Sequence, residues 1–469
     1  MLSRDAQSDS VGQPIARPGS AILEGTVGFM APSLEYDTIR TVTRRLIPYL
    51  CLAYFVNFLD RVNVGFAALT MNKDLGLTAT TFGFATGVFF IGYVLFELPS
   101  NLALQRYGAR IWLARIMITW GFLSGATAFV RDDRSLYVLR FFLGAAEAGF
   151  LPGVVLYLTH WFPTSHRARI MGLFMLAIAF SGLVGAPLSG ALLMLDGAWG
   201  LKGWQWIFLI EAVPAVILGV AALRFLIDRP LDAAWLAPAQ RRWLQGVLDR
   251  EERERAAVHS PFLGPTLRNP RVWALGLVNF GLLVGLYTIS FWLPQIIRES
   301  GVSSPVAIGA LAAVPALVGA LGMIVWSWHS DRSGERTWHL VGSMLIGIAG
   351  FSASALVTDP ALGLVCLVMA SLGVHSALPL FWTLPTAFLN GAGAAGGLAL
   401  VNSISNLGGY VGPQLLGLIR DRAHSFAPAL LAVAGLMLIA TCVVAVLGAS
   451  GLHVHGYGRV RKQPRVPDI

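Results

Sequence analysis

Four ionisable side chains interrupt apolar stretches of this chain: Asp60 and Arg61 in CLAYFVNFLDRVNVGFAAL, and Arg140 and Glu147 in LYVLRFFLGAAEAGFLPGVVLYL. A charge near a bilayer centre costs ~2.5–3.5 kcal/mol, so four together cost on the order of 10 kcal/mol unless paired or hydrated. Guanidinium groups grip carboxylates in a bidentate fork, and a carboxylate removed from water accepts a proton more readily. The chemistry these residue types suit is anion binding coupled to proton uptake. Arg140 and Glu147 stand seven residues apart, which places them on one helix face about 10.5 Å apart. Gly144 and Ala148 beside that face leave room for a neighbouring helix or a ligand. Tyr54, Asn57 and Arg61 fall at i, i+3 and i+7 and form a polar stripe, with Asp60 about 100° away. Static interhelical pairs, Asp60 with Arg140 or Arg61 with Glu147, are the alternative reading, in which the charges only fix packing.

The elements that must hold these groups are membrane helices. Of 469 residues, 55% are hydrophobic and 13% charged, with mean hydropathy +0.66; a soluble domain carries about 25% charged residues. Apolar stretches recur near 46–70, 81–104, 111–130, 135–159, 168–193, 204–227, 271–294, 305–328, 338–357, 361–389, 396–419 and 427–449. Each is long enough to cross a hydrocarbon core about 30 Å thick. The expectation is an all-α polytopic membrane protein of twelve transmembrane helices. Asp60 and Glu147 then lie near mid-membrane, ~21 and ~18 Å from their helix entries, and Arg140 lies ~7–8 Å from the outer end.

One polar break divides the helices into two six-helix bundles. The boundaries read as a cytoplasmic tail 1–45, bundles 46–227 and 271–450, a cytoplasmic linker 228–270 and a cytoplasmic tail 451–469. Within the linker, LAPAQRRWLQGVLDREERER predicts an amphipathic helix with Trp235, Leu236, Trp243, Leu244 and Leu248 on its apolar side, read as a solvated interdomain helix. The first 40 residues lack the basic start and apolar run of a signal peptide. The net charge of +9 falls on alternate loops: Arg40, Arg44 and Arg45, then Arg106 and Arg110, Arg167 and Arg169, Arg332 and Arg336, with Arg420 and Arg422 dissenting. That bias puts both termini in the cytoplasm and explains the basic balance without nucleic acid. Cys51, Cys366 and Cys442 lack metal-ligand spacing. No phosphate loop, nucleophile triad or metal cluster is visible, so neither an enzyme nor a cofactor is expected.

A repeat supports the division. NLALQRYGAR after the second helix and SWHSDRSGER after the eighth both carry Arg-x-Gly-x-Arg, as Arg106-Gly108-Arg110 and Arg332-Gly334-Arg336. The plan resembles the major facilitator superfamily, whose loop signature is Gly-x-x-x-Asp-Arg-x-Gly-Arg. Asn101 and Gln105 replace its glycine and aspartate in the first copy; Asp331 and Arg332 are kept in the second, with Ser327 for the glycine. The stretches NFLDRVNVGFA, FELPSNLALQRYGARIWLARIMITWG, RFFLGAAEAGFLPGVVLYLTHWFP and FWTLPTAFLNGAGAAGGLALVNSISNLGGYVGP are similar to the anion:cation symporter family, especially bacterial tartrate, phthalate and hydroxyphenylacetate permeases.

That resemblance implies proton coupling at Asp60 and Glu147 and anion binding at Arg61 and Arg140, with Tyr93 as a ligand-contacting tyrosine. Tyr54 and Asn57 join the same stripe. Asn402 and Asn406, at i and i+4, form a polar face for substrate, and Trp382 and Thr383 with Tyr287 form an aromatic wall from the C-terminal half. Interhelical hydrogen bonding and aromatic packing are their structural alternatives. Glu97 reads as a gate residue pairing with Arg106 or Arg110, and Asp331, Arg332 and Arg336 as the gate of the second half. His375 is either a proton relay or a hydrogen-bonded core histidine. The implied function is proton-driven uptake of a small organic carboxylate by a monomer in a bacterial inner membrane, with lipid around it. An exporter or exchanger of the same fold and a non-transporting anion sensor are the alternatives.

Overall fold

The structure is a computed structural model that describes residues 31–256, 268–388 and 394–449. The tail 451–469, most of the expected N-terminal tail and linker residues 257–267 lie outside the described residues. The described residues form helices and no strands. The first bundle comprises α1 (Ala31–Val62), α2 (Val64–Asp74), α3 (Ala79–Tyr107), α4 (Ala109–Ala126), α5 (Asp133–Glu147), α6 (Phe150–Thr159), α7 (Thr164–Leu192) and α8 (Gly203–Phe225). The connecting helix is α9 (Pro238–Ala256). The second bundle comprises α10 (Pro270–Glu299), α11 (Pro305–Ser333), α12 (Thr337–Leu356), α13 (Pro360–Phe388), α14 (Ala394–Ala423) and α15 (Ala427–Ala449).

Two spans are divided: α1 and α2 form the first, α5 and α6 the fourth. Eleven segments are long and apolar enough to cross a membrane. The twelfth crossing is α14, whose 30 residues include Asn402, Asn406, Gln414 and Arg420 and are correspondingly less apolar. An even number of crossings leaves α1 and α15 on one side, called the near face here, and the α2–α3 turn on the far face.

Helix α1 begins at Ala31, earlier than the apolar stretch from 46 predicts, because its polar first turns are covered. Thr38 and Val42 are fully buried, and Glu35 meets His166 Nε2 at 3.0 Å. The linker differs similarly. Its amphipathic helix forms from Pro238, leaving the expected Trp235 and Leu236 in the turn before it, and the apolar side is docked and not solvated. Leu236, Leu244 and Leu248 are buried, Trp235 stacks on Trp161 at 5.4 Å, Arg45 lies over the Trp235 ring, and Glu251 accepts from Thr164 and Arg167.

The halves meet along α3 with α14, α7 with α11, and α2 with α10. At the far face they are drawn together by bonds between side chains of one half and backbone groups of the other. The N–H groups that open α3, Ala79 and Thr80, donate to Asp421 on α14 at 3.1 and 2.7 Å, and Arg298 on α10 donates to the Leu69 carbonyl. The orphan donors of a helix N-terminus thus receive a carboxylate from the opposite half, a favourable position for negative charge. Toward the near face, Asn402 donates to Glu97 at 2.6 Å, again across the two halves.

Candidate functional site

Helices α3 and α5 pack closely enough to place both buried arginines against one ring. A Cβ on Gly144 would collide with the Phe89 carbonyl oxygen, so glycine is required there for the backbones to touch. One turn from Gly144 on either side are Arg140 and Glu147. At Glu147 the span breaks: α5 ends, Gly149 takes φ +86°, and α6 begins at Phe150. A left-handed residue is cheap only for glycine. The Glu147 carboxylate therefore sits at the end of a half-helix inside the membrane, where a discontinuous helix is tolerated only within protein or against a cavity.

Arg61 and Glu147 form the ion pair of the site. Arg61 Nη2 and Nε donate to Glu147 Oε2 at 2.8 and 3.3 Å, and Asn57 Nδ2 donates to the same oxygen at 3.0 Å. Glu147 Oε1 has no hydrogen-bond partner. Arg61 Nη1 reaches the Tyr287 hydroxyl on α10 at 3.4 Å, and its guanidinium carbon lies 5.2 Å from the ring centres of Phe89 and Tyr93. Arg140 lies over the same phenylalanine, 5.0 Å from its ring centre. It is fully buried; Nε donates to the Ala85 carbonyl at 3.4 Å, while Nη1 and Nη2 have no partner. Of the two pairings left open by the sequence, Arg61–Glu147 is present, and no Asp60–Arg140 pair occurs among the described residues.

Asp60 turns instead to α4. Trp120 Nε1 donates to Oδ2 and Ser124 Oγ to Oδ1, both at 2.9 Å, and Asn63 Nδ2 lies 3.5 Å from Oδ1. Tyr54 stacks on Phe174 with ring centres 4.5 Å apart. Tyr287 packs between Phe90 and Phe291. The expected aromatic wall is not one surface. Trp382 packs on Phe381 in a separate apolar cluster with Val272, Leu275 and Leu340, and Thr383 donates to the Leu380 carbonyl of its own helix. Because α10 and α13 run in opposite directions, Tyr287 lies ~25 Å from the near end and Trp382 ~9 Å from it. Asn406 is buried, whereas Asn402 is committed to Glu97. His375 is buried with Nδ1 2.9 Å from the Ser371 carbonyl, which requires Nδ1–H to donate.

Two bundles of six crossings joined by a long connection, with charged residues enclosed at mid-depth, define the architecture. Residues 50–413 match the Major Facilitator Superfamily. The chain belongs to that family. It is accordingly a multi-pass membrane transporter and not an enzyme. Major Facilitator relatives of this chain include an Agrobacterium vitis protein named "Putative tartrate transporter", 50% identical over 90% of this chain and 94% of its own length. An Acinetobacter baumannii protein named "Quinolone resistance transporter" is 40% identical over 86% and 93%. Among solved structures, the partially occluded inward-open xylose transporter XylE from E. coli superimposes with TM-score 0.69 at 13% identity, covering 87% of this chain and 98% of that one.

The two Major Facilitator loop motifs are built differently. Gln105 stands at the aspartate position of the first; the carboxylate beside that loop comes from Asp228, which accepts the Arg110 backbone N–H at 2.9 Å. Arg106 lies over the Tyr107 ring. Glu97, expected to pair with Arg106 or Arg110, instead bonds Asn402, because its position on α3 points it to the opposite half. In the second loop Asp331 pairs with Arg336, and Arg332 lies over Trp328.

One buried carboxylate escaped the sequence reading. Glu211 on α8 is 1% exposed and accepts Ser189 Oγ at 2.7 Å, with Oε2 unpartnered. The signal was present, a lone glutamate in the apolar run IFLIEAVPAVILG, and is the same as that which singled out Glu147.

Proposed function

We propose that the chain is a proton-coupled symporter that imports a small organic carboxylate, with tartrate-like hydroxy acids first and aromatic acids second among substrates. The observation that carries this reading is Arg140, a buried guanidinium with both terminal nitrogens unpartnered, 5.0 Å from the centre of a ring that Arg61 also lies over at 5.2 Å. An unpaired buried cation is costly, and a bidentate anion is the partner its geometry fits. The name of the tartrate relative, at 50% identity over most of both chains, supports the substrate class.

In the empty site Glu147 occupies Arg61 and competes with an incoming carboxylate. A proton on Glu147 neutralises it, frees Arg61, and lets Arg61 and Arg140 hold the anion together beside Phe89. Asp60, on the helix that bears Arg61, is the second proton-responsive group. Tyr93, Tyr54, Asn57, Tyr287 and Asn406 complete the polar lining. Trp382, Thr383 and Asn402 act nearer the cytoplasmic side, where Asn402 and Glu97 form a gate contact. Only the empty site, or the site carrying both proton and anion, reorients without uncompensated charge. Basic loops on the near face support a cytoplasmic position, in a bacterial cell, for that face, both termini and the linker.

The test is tartrate accumulation in proteoliposomes under an imposed inward proton gradient. Accumulation above the gradient-free level supports the reading; equal uptake with and without the gradient refutes it. A second reading, extrusion by the same fold, is favoured by the relative named for quinolone resistance. It requires substrate loss against an opposite gradient in the same vesicles.

A further inference from the structure

The site described above uses four buried charges, and the membrane interior of the N-terminal half also holds Glu211, which that site does not use. We propose that Glu211 is a separate proton-binding site, linked to Asp60 through the side chain of Asn63 and supplied with protons through a cavity between the two halves. The assignment goes beyond the carboxylate-uptake reading and does not depend on the substrate's identity.

The placement is the first ground. Glu211 on α8 is held by Ser189 from α7 at 2.7 Å, and the Asn63 side chain lies beside it. Asn63 also lies 3.5 Å from Asp60 Oδ1. One amide thus stands between two buried carboxylates on different helices. The two carboxylates also feel one another electrostatically. Both cannot hold full negative charge in so apolar a setting without a paired cation, and among the described cations Arg140 acts on Asp60 only through space, without a salt bridge. Arg61 is engaged by Glu147, Arg115 lies over Trp112 on its own helix, and Lys202 with Asp74 sits at the far end of α8. The remaining partners of Asp60, Trp120 and Ser124, are neutral donors already used.

The unmet hydrogen bonds are the second ground. Glu211 Oε2 and Asn63 Oδ1 are both buried acceptors without a donor. A single proton on the Glu211 carboxyl turns one surplus acceptor into a donor beside the other, which relieves the mismatch without moving a helix.

Access is the third. Asn63 and Ser189, the two neighbours of Glu211, line a cavity of about 70 Å³ together with Ser181, Ser371 and His375. That volume holds more than one water, and the lining supplies hydroxyl, amide and imidazole partners from both halves. The proton passes from cavity water to Glu211 and returns by the same route. No covalent or redox step is involved.

Infrared difference spectroscopy of the reconstituted protein during a pH titration tests this directly, with no substrate present. The expected result is a protonated-carboxyl carbonyl band that disappears in Glu211→Gln. Its midpoint moves to lower pH in Asp60→Asn, which removes the like charge, and to higher pH in Ser189→Ala, which removes a donor to the ionised form. Absence of any such band between about pH 4 and about pH 9 overturns the assignment, as does a midpoint unmoved by both neighbouring substitutions. Should Glu211→Gln fail to fold, the paired shifts in Asp60→Asn and Ser189→Ala carry the test. Failure of tartrate uptake leaves this titration intact, and failure of the titration leaves uptake intact, so the two proposals fall separately.

Discussion

Arg61 directs two of its nitrogens, Nη2 at 2.8 Å and Nε at 3.3 Å, to a single oxygen of Glu147, leaving the second carboxyl oxygen without a partner. A static clamp between arginine and carboxylate uses both oxygens in a fork. The one-oxygen arrangement here, supplemented by Asn57, leaves Arg61 Nη1 for Tyr287 of the other half and Glu147 Oε1 as a position for a proton. One guanidinium thus joins a carboxylate of the N-terminal bundle to a hydroxyl of the C-terminal bundle. In the proposed mechanism, that gives protonation a physical route to the interface between the halves.

Arg140 is held at a cost to the folded state. Replacing it with an unbranched apolar side chain, Arg140→Met, removes an unpaired buried charge and should raise stability by ~1–3 kcal/mol. The same change should lower carboxylate uptake at least about tenfold, from loss of a charged hydrogen bond. A melting curve and an uptake assay on one preparation check both; a variant that loses stability as well as uptake would make Arg140 a packing residue.

Gly144 sets the distance between the two helices that carry the site. Gly144→Ala places a methyl against the Phe89 carbonyl, where backbone and not a flexible side chain must yield. Overpacking of this kind costs ~1–3 kcal/mol. The expected outcome is a lower melting temperature together with weaker substrate binding by calorimetry, since Arg140 and Phe89 separate.

The two faces of the molecule carry different locks between the halves, and they should respond oppositely. Asn402→Ala removes the bond to Glu97, and Asp421→Ala removes the carboxylate that receives Ala79 and Thr80. Each should shift the conformational balance by ~1 kcal/mol or more, about fivefold in population. Hydrogen exchange should rise at the near ends of α3 and α14 in Asn402→Ala, and at their far ends in Asp421→Ala. Equal changes at both faces in either variant would contradict the assignment.

Outside the membrane, Glu335 caps α12. Its carboxyl is partly buried, which opposes ionisation, but backbone N–H groups of Trp338 and His339 at 2.7 and 3.0 Å outweigh that and hold it below the usual glutamate value. A depressed folded-state value contributes stability that is complete above the unfolded value of about 4.3 and is lost as pH falls through the lower folded value. Glu335→Gln should therefore be less stable than the parent by ~1 kcal/mol near neutrality. The gap should close below that window in acid denaturation curves.

The sequence made the charges and the helix count legible because both depend on local composition and period. Rotation about each helix axis was likewise readable: Arg140 and Glu147 share a face, and Asn57 and Arg61 both reach Glu147. Partner choice was less accessible. That Asp60 faces Trp120 and Ser124 depends on how α4 is turned against α1, which no pattern within α1 encodes. Glu97 met Asn402, 305 residues away, for the same reason. Trp382 and Tyr287 looked like one wall because both are aromatic, yet antiparallel helices set them at different depths. Glu211 was a different kind of omission, a readable charge in an apolar run whose helix carries its other charge, Arg224, only at its end.

The central claim, that Glu147 exchanges Arg61 for a proton, is tested most directly by Glu147→Gln in proteoliposomes, comparing gradient-driven tartrate uptake with tartrate counterflow. The glutamine keeps the shape of a protonated glutamate and cannot release a proton. Counterflow should persist within about twofold of the parent while gradient-driven accumulation falls at least about tenfold. Retention of gradient-driven uptake with loss of counterflow would contradict the account.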